Sequence, residues 1–88
     1  MSRYTNEQIK EAVEHLTNDP LGCCIRPEKI DYFDQSVQIR VKSRSGKESH
    51  ILHYEFEEDG HLNVWGGYSS ESSKMKFAHQ LVNFLQAL

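Results

Sequence analysis

Hydrophobic residues recur every three or four positions near the start of the chain, which is the spacing of an amphipathic helix. The apolar positions are Ile9, Ala12, Val13 and Leu16. Thr5 is followed three residues later by Gln8, a capping-box pattern, and Tyr4 and Ile9 have the spacing of a hydrophobic staple. We therefore predict a helix that starts at Thr5, ends at residues 18–20 and buries one stripe.

From Lys29 onward, apolar and polar residues alternate, which is typical of β-strands with one buried face. The alternating apolar positions are Ile30 and Tyr32, then Val37, Ile39 and Val41, then Leu52, Tyr54 and Phe56, then Leu62 and Val64. This pattern predicts an antiparallel meander of three or four strands. The preceding segment, 21–27, contains Gly22 and Pro27 and fits either a short edge strand or an ordered loop.

The turns predict the register of the sheet, because apolar cross-strand partners must lie on the same face. Two-residue turns at 34–35 and 45–46 and a three-residue loop at 58–60 satisfy this condition, with Gly60 in a left-handed conformation. The predicted pairs are Ile30 with Ile39, Tyr32 with Val37, Val37 with Tyr54, Ile39 with Leu52, Tyr54 with Val64 and Phe56 with Leu62. A two-residue turn at 59–60 would instead set Phe56 against Asn63.

The strongest amphipathic pattern in the chain lies at its C-terminal end. Its apolar positions are Phe77, Ala78, Leu81, Phe84, Leu85 and Leu88. Gly66 and Gly67 end the last strand, and residues 69–71 offer N-caps for this helix. The chain is therefore predicted to be a single α+β domain over residues 1–88, in the order α-β-β-β-β-α, with both helices packed on one face of the sheet.

The same register leaves the other face of the sheet uncovered. We expect that face to carry Gln38, Arg40, Lys42, Ile51, His53, Glu55, Glu57, His61, Asn63 and Trp65. Tryptophan, isoleucine and arginine together resemble the composition of a binding patch. The candidate binding residues are Trp65, His53, Arg40, Ile51, Gln38 and Asn63. A plainer interpretation is that Trp65 only covers its neighbours, since scattered exposed apolar residues are normal.

Composition and charge narrow the function classes. The 88 residues are 38% hydrophobic and 26% charged, as in globular proteins, and the net charge of −3 gives no overall attraction to nucleic acid or anionic lipid. No apolar run approaches the roughly 20 residues that span a bilayer, and polar residues in 1–10 exclude a signal-peptide core. We expect a cytoplasmic protein without membrane contact, in which Cys23 and Cys24 are reduced, structural thiols.

The sequence gives only weak signals for a metal site or a catalytic residue. His53, Glu55, Glu57 and His61 share one predicted face, but their spacing is not a zinc signature and an open face lacks an enclosing second shell. A cysteine nucleophile would need a nearby cation, for which only Arg26 is close. We therefore predict no catalytic residues, no metal and no cofactor.

Lysines at the start of the last helix suggest a second possible binding site, separate from the open face of the sheet. The order of a helix, three antiparallel strands and a helix, with Ser73, Lys74, Lys76 and Ala78 opening the last helix, resembles the double-stranded-RNA-binding domain. The resemblance implies that Lys74 and Lys76 contact phosphates at the helix N-terminus. Met75 and Phe77 interrupt the lysine and alanine run of that family, and two solvated lysines explain the same pattern.

These observations favour a non-enzymatic regulatory or interaction module. We predict that its open sheet face binds a protein partner or a second copy of the chain, as in a homodimer. Double-stranded RNA or another nucleic acid, bound through Lys74 and Lys76, is the less favoured alternative.

Overall fold

The chain folds into two helices and one four-stranded sheet, in a computed structural model that describes residues 3–19, 25, 27–43, 45–67 and 72–88. The elements are α1 (Asn6–Thr17), β1 (Pro27–Phe33), β2 (Ser36–Lys42), β3 (Ser49–Phe56), β4 (Leu62–Gly66) and α2 (Ser72–Gln86). The sheet is antiparallel with the strand order β1-β2-β3-β4. The predicted α+β fold class and element order are confirmed. The cysteines, most of segment 21–27 and the N-caps expected at 69–71 lie outside the described residues.

Helix α1 begins as its capping pattern predicts. The Thr5 Oγ1 accepts a hydrogen bond from the Gln8 backbone N–H at 3.0 Å, and the Gln8 side chain accepts one from the Thr5 N–H at 3.0 Å. At the other end, the N–H of Asn18 donates to the Glu14 carbonyl. The capping box fixes where the helix starts, so Ile9, Ala12 and Val13 fall on its buried side.

The register of the sheet matches the predicted pairs. Val37 lies opposite Tyr54, Ile39 opposite Leu52, Tyr54 opposite Val64 and Phe56 opposite Leu62, and β1 pairs with β2 as expected through Ile30 and Tyr32. At the predicted three-residue loop, the Gly60 N–H donates to the Glu57 carbonyl at 2.9 Å and Gly60 has a φ of +93°. Alternation and turn chemistry together were therefore sufficient to place the paired apolar residues of the four strands on the face that the helices cover.

The turn between β1 and β2 depends on a residue from α1. Gln35 has a φ of +56°, which side-chain-bearing residues adopt only at a cost. The Asn6 Oδ1 accepts hydrogen bonds from the Gln35 backbone N–H at 2.8 Å and from its side-chain Nε2 at 2.9 Å. The Asn6 Nδ2 donates to the Asp34 carboxylate at 3.0 Å. The start of the helix thus holds the first hairpin in its conformation.

Both helices pack on one face of the sheet and form a single core. Its members are Tyr4, Ile9, Ala12, Val13, Ile25, Val37, Ile39, Val41, Leu52, Tyr54, Phe56, Phe77, Ala78, Leu81 and Leu85. The Tyr54 ring meets Phe77 edge to face, with centroids 5.4 Å apart, and its hydroxyl donates to the Lys74 carbonyl at 3.0 Å. Leu88, which the helical spacing also placed in the buried stripe, is exposed because α2 ends at Gln86.

Candidate functional site

The six candidate binding residues lie together on the face of the sheet opposite the helices. One row across this open face runs from Asp31 on β1 through Gln38 on β2 and His53 on β3 to Trp65 on β4. Arg40 lies opposite Ile51 in the next row. Asn63 lies opposite Glu55 on the other side of the first row. The sheet register thus gathers residues from three strands into one continuous surface.

Trp65 is the largest side chain of this open face. Its ring lies parallel to that of His53, with centroids 5.1 Å apart and an angle of 3° between the planes. The Trp65 side chain is 45% exposed, whereas His53 is half-buried. Because His53 supports one side of the indole, the ring is held in one orientation while much of its surface stays in contact with water.

Two glycines allow the strands to approach closely beside this stack. Gly66 has a φ of +98°, and a Cβ added to it would lie 2.4 Å from the Ile51 carbonyl oxygen and 3.0 Å from the His53 ring. A Cβ on Gly67 would lie 2.8 Å from a methyl group of Leu52. The sequence indicated only that these glycines end β4. The structure adds that Gly66 makes room for the backbone and ring on which Trp65 rests.

Charged side chains of both signs lie on the same face of the sheet as the aromatic stack. The Lys42 ammonium lies 3.5 Å from the Glu28 carboxylate, which also accepts a hydrogen bond from the Ser49 hydroxyl at 3.1 Å. Lys29 and Asp31 form a second pair at 3.8 Å. Arg40 and Glu55 have no ion-pair partner among the described residues, so each can meet a charge on a binding partner.

Sequence reasoning missed one apolar residue of the open face. Phe33, the last residue of β1, lies opposite Ser36 and is exposed. The alternation that places Tyr32 against the core also places Phe33 on the opposite face. The signal was therefore present in the sequence, but Phe33 stands next to the turn, where a strand pattern is easily read as ending one residue too early.

The two lysines at the start of α2 have different surroundings. Lys74 is only 6% exposed, and its ammonium donates a hydrogen bond to the Gly66 carbonyl at 3.3 Å. The interpretation of Lys74 as a solvated side chain is therefore wrong, whereas Lys76 is exposed. A long aliphatic stem lets a lysine pack along apolar surface while its charged end reaches a polar partner.

Two features of the described residues bear on metal binding and on acid–base chemistry. Within that part of the chain, His, Cys, Asp and Glu side chains do not come together in a group of three or more that could hold a metal ion. Cys23, Cys24 and Arg26 lie outside it. A shallow groove between α1 and β1 contains Glu14 and Tyr32, but burial, and then the charge of Glu14, raise the pKa of Tyr32. The shift is opposite to the one that activates a tyrosine as a base or nucleophile.

Comparison with known proteins does not assign the chain to a family. No family model, curated protein or solved structure matches the chain. The described helices are too short and too polar for any of them to cross a bilayer. The surface of the molecule is therefore the basis for inferring its function.

Proposed function

We propose that this protein is a non-enzymatic interaction module that binds a protein partner, or a second copy of itself, through the open face of its sheet. The observation that carries the proposal is the half-exposed Trp65 indole, which is supported on one side by His53. Ile51 and Arg40 lie opposite each other in the next row of the same face. Tryptophan and arginine are the residue types that most often dominate binding energy in protein interfaces.

The rigidity of the indole supports this role. A side chain that already has a fixed orientation loses little conformational freedom when a partner covers it, so more of the contact energy appears as affinity. The stack on His53 restricts Trp65 before binding, and Gly66 leaves room for the His53 ring that forms this stack. Ile51 extends the apolar centre, and the charged residues around it resemble the polar rim of an interface.

The charges favour a protein over a nucleic acid. Glu55 and Glu57 lie on the same half of the sheet as Trp65 and would repel a phosphate backbone that approached the stacked rings. The net charge of the chain is −3. At the start of α2, Lys74 is already bonded to the Gly66 carbonyl, so the resemblance to the double-stranded-RNA-binding domain would depend on Lys76.

The decisive experiment compares Trp65→Ala with Met75→Ala in affinity capture from the native host. Met75 is 40% exposed on α2, so the control removes an apolar side chain of similar exposure from another element. We expect a set of proteins that is captured by the parent chain and by Met75→Ala but lost with Trp65→Ala. With one such protein purified, Trp65→Ala should weaken binding by about 30-fold, the effect of a hot-spot residue worth about 2 kcal/mol.

Two results would reject the proposal. If Trp65→Ala unfolds the protein, as judged by circular dichroism and urea titration, Trp65 belongs to the core rather than to a binding surface. If Trp65→Ala and Met75→Ala capture the same proteins equally well, and light scattering shows the same molecular mass for both, the open face is not the site of association. A titration with duplex RNA at low and moderate salt tests the alternative, because phosphate contacts weaken steeply as salt rises.

A further inference from the structure

The two edges of the sheet differ in their protection against pairing with another strand. Edge strands in monomeric proteins are usually guarded by proline, charged residues or a bulge. β1 has all three: Pro27 at its start, the charged residues 28, 29 and 31, and a register shift between Pro27 and Lys29. β4, Leu62–Gly66, contains neither a charge nor a proline and pairs with β3 without a register shift.

The outward-facing backbone groups of β4 can be identified from the hairpin that precedes it. The Glu57 N–H donates to the His61 carbonyl at 2.8 Å, so the residues of β4 that bond to β3 are Asn63 and Trp65. The N–H and carbonyl groups of Leu62, Val64 and Gly66 then point away from β3. The Phe56 N–H agrees with this pattern, because it donates toward β2, to the Gln35 carbonyl.

Part of this edge is already occupied. The Gly66 carbonyl accepts the hydrogen bond from the Lys74 ammonium, which closes the edge at its C-terminal end. Within the part of the chain that the structure describes, the outward groups of Leu62 and Val64 have no hydrogen-bond partner. Unpaired backbone donors and acceptors in a row form a template for an added strand.

We propose that this edge pairs antiparallel with β4 of a second copy of the chain, around a two-fold axis at Asn63. Leu62 of each copy exchanges both backbone hydrogen bonds with Val64 of the other, which joins the two sheets into one. This register leaves the hydrogen bond between the Lys74 ammonium and the Gly66 carbonyl intact. With an axis at Val64, Leu62 would pair with Gly66 of the other copy and would need the same carbonyl as its acceptor. A second copy suits this edge because an uncharged strand meets itself without opposing like charges.

The pairing has a consequence on the open face. Trp65 of one copy lies opposite His61 of the second copy, so each indole is enclosed between two imidazoles, its own His53 and that neighbour. The two open faces become one surface with both tryptophans near its centre. A single short strand pair buries little area, so the dimer is expected to be weak and dependent on concentration. The proposal uses the backbone edge and does not depend on partner binding by the open face.

Cross-linking through a cysteine at position 63 tests the geometry directly. In the proposed dimer the two copies of residue 63 form a non-hydrogen-bonded pair, with Cα atoms about 4.5 Å apart, which is within disulfide range. The experiment uses Asn63→Cys and a control, Ser36→Cys, on the interior strand β2, both with Cys23→Ser and Cys24→Ser. We expect Asn63→Cys to form a 63–63 disulfide, located by peptide mass mapping, several times faster than Ser36→Cys forms its own.

A second pair of variants covers the case in which the cysteine variants fold poorly. Asn63→Glu places two negative charges opposite each other at the axis, beside Glu55 of each copy, and should weaken the dimer. Ser36→Glu also lies opposite Glu55, but on the interior strand β2, and should not weaken it. The measurement is sedimentation equilibrium up to millimolar protein. A parent chain that stays monomeric over that range, or equal cross-linking rates at positions 36 and 63, would overturn the proposal. Either result leaves the test of Trp65 in partner capture unaffected.

Discussion

The two faces of the sheet are built from alternate residues of the same strands, yet they have opposite relations to water. Ile51 and Leu52 are neighbours in β3 with similar side chains, but Ile51 is 39% exposed and Leu52 is fully buried. On the inner face, the apolar residues are covered by α1 and α2. On the open face, Phe33, Ile51 and Trp65 are not covered. Ile51 and Trp65 lie on the adjacent strands β3 and β4, and neighbouring apolar residues in contact with water suggest an external contact more than single exposed ones do.

The largest difference in stability is expected between alanine variants of these two neighbours. Leu52→Ala should lower the free energy of unfolding by about 2–5 kcal/mol, because it removes buried methyl groups and leaves a cavity among the core residues. Ile51→Ala should change it by less than about 1 kcal/mol, since the side chain is partly in water already. Urea unfolding of both variants measures the difference. Equal losses would mean that the open face is covered in the folded protein.

A smaller loss of stability is expected for a substitution at Gly66, the last residue of β4. Gly66→Ala should cost about 1–3 kcal/mol, because alanine is strained at a positive φ and its Cβ would overlap the Ile51 carbonyl. Gly46→Ala is the matched control, since Gly46 also has a positive φ, of +72°, but has open space around its Cβ position. It should cost about 1 kcal/mol.

The difference between the two glycine variants isolates the close contact with β3. Gly66→Ala should also disturb the stack of Trp65 on His53, which tryptophan fluorescence would report, whereas Gly46→Ala should leave the fluorescence unchanged. If both variants lose the same stability and keep the same emission, the strands separate easily at this point and Gly66 is not required for the stack.

The smallest expected effect concerns the inner side of β1 and appears only at high pH. Burial, and then Glu14, raise the pKa of Tyr32 above the ordinary value of 10.0. The folded chain therefore binds the phenolic proton more tightly than the unfolded chain does. The contribution of Tyr32 to stability is complete below pH 10.0 and is lost as the pH rises from there through the raised pKa. The test is to measure the free energy of unfolding by urea titration below and above pH 10.0. As the pH rises, Tyr32→Phe should lose less stability than the parent chain. An identical loss in both proteins would contradict a raised pKa for Tyr32.

Local signals in the sequence were enough to predict most of the fold. The Thr5 and Gln8 pair predicts where α1 starts, and alternation combined with the loop at 58–60 predicts which residues face the helices. The position of Trp65 on the open face followed from that register. Its role in binding remains a prediction, because neither the fold nor any known relative tests it.

The features that the sequence did not predict depend on contacts between distant parts of the chain. Lys74 looked like a solvated helix residue, and only the packing of α2 beside β4 brings its ammonium to the Gly66 carbonyl. Gln35 gave no sign of a positive φ, because the group that stabilises it belongs to Asn6 in another element. Patterns within a window report local propensity and burial, but not which side chain will satisfy a particular backbone group.

The bond between Asn6 and the first hairpin also bears on how the chain folds. A hairpin turn with Gln35 in a left-handed conformation is unfavourable by itself, and the compensating amide is contributed by a helix that is separately marginal at this length. Neither piece gains its full stability before the other is in place. Helix and hairpin should therefore form as one cooperative unit, with the Gln35 amide exchanging its hydrogen only when both open together.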